Sequence, residues 1–75
     1  MAKIDWSEYK EFKKYSVKED KLAILVDFMK SYYNMTNAFE IYENFEEDAI
    51  AMMLLEKRGI KDAEGLENYI FKYYR

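Results

Sequence analysis

The chain has 75 residues, of which 51% are hydrophobic and 19% aromatic, and its net charge is −3 from twelve basic and fifteen acidic side chains. This composition excludes intrinsic disorder, in which aromatic and aliphatic residues are scarce, and the length suits one domain over 1–75. With neither Cys nor His in the chain, disulfides, zinc sites built on those residues and histidine-based catalysis are excluded as well.

There is no Pro, and Gly59 and Gly65 are the only glycines, so helix caps supply the punctuation. Asp5 followed by Glu8 has capping-box spacing and predicts a first helix over 6–15. Its aromatics, Trp6, Tyr9, Phe12 and Tyr15, recur every third residue. At 3.6 residues per turn they drift across roughly 180°, so one buried stripe cannot hold all four, and Trp6 or Tyr15 is expected at a margin. Ser16 and Glu19 repeat the capping spacing and predict a second helix over 17–33. Leu22, Leu25, Val26, Met29 and Tyr33 form its stripe, widened by Ile24 and Phe28. The narrow opposite strip of Asp20, Ala23, Asp27, Lys30 and Asn34 marks a helix surrounded by others.

Asn37 with Glu40 opens a third helical stretch over 37–58, expected to break near Asn44 where Asn44-Phe45-Glu46-Glu47 starts a new helix. Ala49 to Leu55 is apolar all round and reads as a second central element. Gly59 stands where a helix ending in Lys57 and Arg58 needs a left-handed residue. Asp62 can then cap a last helix over 63–74 with Leu66, Tyr69, Ile70 and Tyr73 on one face and Phe71 and Tyr74 outside it. Alternating strand patterning is absent. The expected fold is all-α, a compact bundle of four to five short helices with 20–32 and 49–56 at its centre. The Trp6-Ser7-Glu8 start, the five-helix count and the Gly59-Ile60 turn before a last helix resemble sterile alpha motif domains over a minority of the chain. No function is carried over from that resemblance.

An enzyme is the last expectation. The hydroxyls Ser7, Ser16, Ser31 and Thr36 have no histidine base, and neither glycine belongs to a phosphate-cradling loop. Di-metal centres in helical bundles add Glu-x-x-His motifs that require histidine. No catalytic residue, metal or cofactor is therefore expected. The longest apolar run, Ala49 to Leu55, has seven residues, far short of the ~20 that span a bilayer. With no signal-peptide pattern at the start, a cytoplasmic protein without membrane contact is expected. Heavy use of Lys, Tyr, Asn, Ile and Phe suits a gene of low GC content, as in bacteria or phages.

The informative feature is charge asymmetry. From Ser31 to Glu56 there is no Lys or Arg, while Glu40, Glu43, Glu46, Glu47, Asp48 and Glu56 supply six negative charges. Residues 1–30 balance seven Lys against six acids, and 57–75 carry five bases against three acids. Glu40, Glu43 and Glu47 share a helix face, where like charges cost roughly 0.2–0.5 kcal/mol per pair. The plain reading is a solvated face with helix-start acids at 46–48. The functional reading is a docking face of Glu40, Tyr42, Glu43, Glu46, Glu47 and Asp48 for a protein with a basic surface, with Tyr42, or Phe39, as aromatic anchor. Such a module would act as an inhibitor or adaptor, for example on the nucleic-acid channel of an enzyme.

Two alternatives stand behind it. Residues 49–75 can be drawn as a helix-turn-helix nucleic-acid binder, but Asp62, Glu64 and Glu67 would present acid to phosphates. The basic set Lys10, Lys13, Lys14, Lys18 and Lys21 is diluted by Glu8, Glu11, Glu19 and Asp20. The other alternative is a homodimer. A small core without a staple, and Trp6, Tyr15, Phe71 and Tyr74 left over after packing, point to self-association.

Overall fold

The computed structural model describes residues 4–73, which form five helices and no strand. They are α1 (Trp6–Lys14), α2 (Lys21–Tyr32), α3 (Ala38–Phe45), α4 (Ala49–Lys57) and α5 (Ala63–Tyr73). The radius of gyration is 11.3 Å, and the chain is the expected small all-α bundle. No helix among the described residues is long and apolar enough to cross a membrane.

Helix α2 is the axis of the core. Leu22 through Met29 are all buried except Asp27, which keeps its carboxylate at the margin beside Lys18 Nζ, 2.5 Å away. Phe28 gathers the aromatic residues of two elements around it. The rings of Tyr9 and Phe12 meet it edge-on from α1, Tyr33 meets it edge-on, and Tyr32 stacks on it at 4.9 Å. Of the four aromatics at three-residue spacing, Tyr9 and Phe12 thus meet one ring, and Trp6 meets Tyr9 edge-on. Tyr9 is buried, Trp6 and Phe12 are half-buried, and Tyr15, at the far end of the drift, is 84% exposed.

The other half of the core is α3 against α5. Ile41 and Phe45 of α3 and Leu66 of α5 are fully buried, and Ile70 and Tyr69 flank them. Helix α4 corrects an expectation. Its apolar run predicted a central element, yet only Ala51 and Leu55 are fully enclosed, while Ile50 and Met53 are 49% and 55% exposed. One seam at i, i+4 spacing meets the core, and α3 fills the interior place assigned to 49–56.

Two boundaries moved. Helix α2 starts at Lys21, capped by Asp20, whose carboxylate accepts from the Leu22 N–H at 3.0 Å. Ser16 instead accepts from the Lys18 N–H and closes a turn before the helix. The break between α3 and α4 falls at 46–48, not at Asn44. Asn44 is buried, with its amide donating to the Glu40 carbonyl at 2.9 Å, and Asp48 caps α4 through the Ile50 and Ala51 N–H groups. Asn34 ends α2 with φ +57, a left-handed conformation that Asn tolerates better than most residues. Asp5, Asn37, Gly59 (φ +69) and Asp62 act where the sequence placed them.

A polar node ties three helices together. The Asp20 carboxylate accepts from the Tyr69 hydroxyl at 2.6 Å and from the Arg58 guanidinium, so the start of α2 is joined to the end of α4 and to α5. Burial pushes the Asp20 carboxyl up. The hydrogen bonds from Tyr69, Arg58 and the Leu22 N–H, with the charge of Arg58, outweigh burial and hold it below the ordinary value. Burial first, and then the bond to Asp20, push the Tyr69 hydroxyl well above its ordinary range.

Candidate docking face

Helix α3 is divided lengthwise with little ambiguity. Ala38, Ile41, Tyr42, Asn44 and Phe45 face inward. The outward arc carries Phe39, Glu40 and Glu43, and Glu46 and Glu47 continue it into the following turn, all exposed. At 100° per residue these positions cover about a third of the helix circumference. The described residues contain three ion pairs, Lys14–Glu11, Lys18–Asp27 and Arg58–Asp20, and none of them reaches this arc.

Local helix physics accounts for part of the acid. Glu40 lies in the first turn of α3, behind the Asn37 cap, where negative charge is favourable. Glu46 and Glu47 precede α4 and profit from its N-terminus, but they also stand at the C-terminal end of α3, which has no basic residue in its last turn. Glu43 has neither compensation.

Two residues of the expected face lie elsewhere. Tyr42 is buried, and its hydroxyl donates to the Lys61 carbonyl at 2.8 Å, tying α3 to the turn before α5. Burial, and after it the charges of Glu46 and Asp62, raise its pKa. It is a structural residue, and Phe39, 55% exposed on the arc, is the aromatic available to a partner. Asp48 is spent on the α4 cap and on the indole N–H of Trp6, which donates to it at 2.8 Å. The same bond, with an edge-on ring contact to Tyr9, removes Trp6 from the leftover aromatics. Tyr15 and Phe71 stay exposed as that expectation required, and Tyr74 lies outside the described residues.

The sequence reading named Lys10, Lys13 and Lys21 within a diluted basic set but missed the groove that they line. Between α1 and α4 runs an open groove of about 460 Å³, lined by Ile50, Met53 and Leu54 of α4 and by Trp6 and Tyr9 of α1. Lys10, Lys13, Lys21 and Lys57 line its edges, and no carboxylate does. A signal for it was present: α4 is more apolar than a nine-residue surface helix needs. In the linear sequence, acids between Lys10 and Lys21 conceal the lysine cluster, because they point to other faces.

No group of three or more Asp or Glu among the described residues is arranged to hold a metal ion. No family model, curated protein or solved structure matches this chain. The likeness to sterile alpha motif domains therefore rests on its short motifs alone.

Proposed function

We propose that the protein is a non-catalytic interaction module that docks the outward arc of α3 on a basic surface of another protein, as an inhibitor or adaptor. The observation that carries this reading is the composition of that arc: four exposed glutamates and one exposed phenylalanine, with no cation among the described residues paired to any of them. The acids steer a positively charged partner into encounter, and the ring sets the dissociation rate once water is excluded around it. Basic protein surfaces of sufficient extent include nucleic-acid channels, so competitive blockage of such a channel is the mode we favour.

The test uses the protein as bait in native cells, followed by measurement on whichever protein is captured. Replacing Glu40, Glu43 and Glu47 by Gln together should leave thermal stability about equal, because the relief of mutual repulsion offsets the loss of the favourable charge of Glu40 at the start of α3. The same variant should lose the captured protein, and Phe39→Ala should speed its dissociation. Binding should weaken steeply with salt, since exposed charges are screened beyond about 8 Å at physiological ionic strength. Undiminished affinity in the triple variant would refute the reading. Nucleic acid in the eluate without protein would favour the helix-turn-helix alternative.

A further inference from the structure

The groove between α1 and α4 has a composition that the fold does not require. Lys10, Lys13, Lys21 and Lys57 surround it from three helices, and none of them has an ion-pair partner among the described residues. Like charges crowded together repel, and the exposed apolar side chains of Ile50 and Met53 gain nothing for the monomer in water. Both features favour an occupant that is acidic and carries an apolar contact.

We infer that this occupant is the α3 face of a second copy, so that the chain forms a two-fold dimer. In it, Phe39 of each copy lies on Ile50 and Met53 of the other, and the glutamates of α3 meet the lysine rim. Chemistry is the first argument. The groove offers lysines and no carboxylate, the arc offers glutamates and no cation, and the thioether of Met53 is a favourable neighbour for an aromatic ring. Length is the second. Helix α3 has eight residues and so runs for roughly 12 Å, which matches the roughly 10 Å rise from Ile50 to Lys57 along the groove.

Contiguity is the third argument. Trp6 lines one end of the groove and donates to Asp48, which directly follows Glu46 and Glu47. The groove therefore adjoins the Glu46–Glu47 end of the acidic arc. Two copies related by a two-fold axis can make both contacts at once and close the assembly, whereas widely separated patches would propagate a filament. One consequence rests on the proposed function: a dimer conceals the docking arc, so self-association and partner binding exclude one another.

The experiment is a complementary charge swap followed by sedimentation equilibrium at low salt over micromolar concentrations. The groove variant carries Lys10→Glu, Lys21→Glu and Lys57→Glu; the face variant carries Glu40→Lys, Glu43→Lys and Glu47→Lys. Circular dichroism establishes that both remain helical. The parent chain should be a dimer that salt dissociates, and each variant alone should dimerise about tenfold more weakly or worse. An equimolar mixture should restore the dimer, because one contact is then the original pairing and the other its charge-reversed copy. A monomeric parent, or a dimer indifferent to both variants, would overturn the inference, the latter pointing to Tyr15 and Phe71 instead. The groove variant should still bind a basic heterologous partner, so failure of the dimer and failure of the docking reading are separable.

Discussion

The indole N–H of Trp6 donates to the carboxylate of Asp48 across 42 residues of sequence, at 2.8 Å, while the same carboxylate caps α4. One side chain thus holds the start of α1, the turn after α3 and the first turn of α4 together. Asp48→Ala removes the cap and the tertiary bond at once and should cost about 2 kcal/mol. Trp6→Phe keeps an aromatic ring but loses the donor, and should cost about 1 kcal/mol beyond any packing loss. Urea denaturation followed by circular dichroism measures both. An Asp48→Ala variant as stable as the parent would show that this contact contributes nothing.

The node at Asp20 predicts the pH range of stability. Its carboxyl is held below the ordinary value, so the stabilisation is complete above about pH 4, where unfolded Asp is ionised, and is lost as pH falls through the lower folded value. The melting temperature of Asp20→Asn should therefore lie below that of the parent near neutrality, with the gap closing at acid pH. Tyr69 behaves in the opposite sense. Its pKa is raised, so its contribution is complete below about pH 10 and is lost as pH rises beyond that toward the folded value. Tyr69→Phe should cost about 1.5 kcal/mol at neutral pH and flatten the alkaline limb. Thermal melts across pH for the three proteins test both signs.

Helix α4 offers a comparison of neighbouring positions. Leu55 is fully buried, and Leu55→Asp places an unpaired charge in the core, which should unfold a domain whose core supplies roughly 3–5 kcal/mol. Met53 is half exposed, and Met53→Asp should change monomer stability by no more than about 0.5 kcal/mol while preventing self-association. Leu54, half-buried, should fall between them. Circular dichroism of the three variants orders these positions. A Met53→Asp chain that unfolds would place α4 in the centre after all.

Local sequence determined what local forces control. Asp5, Asn37 and Asp62 cap their helices and Gly59 ends α4 because those interactions span only a few residues of chain. The narrowness of the polar strip on α2 placed that helix at the centre, since its apolar faces needed cover on nearly every side. Tertiary structure decided the rest. Asp20 displaced Ser16 as the cap of α2 because Arg58 and Tyr69, 38 and 49 residues away, hold its carboxylate in place. Periodicity could not decide between α3 and α4 for the second interior position, because both present an apolar stripe and only packing on α5 shows which one is enclosed. The acidic run from Glu40 to Glu47 was legible because one helix face collects it from consecutive turns. The lysine groove was not, because its four charges come from α1, α2 and α4 and become neighbours only when those helices pack.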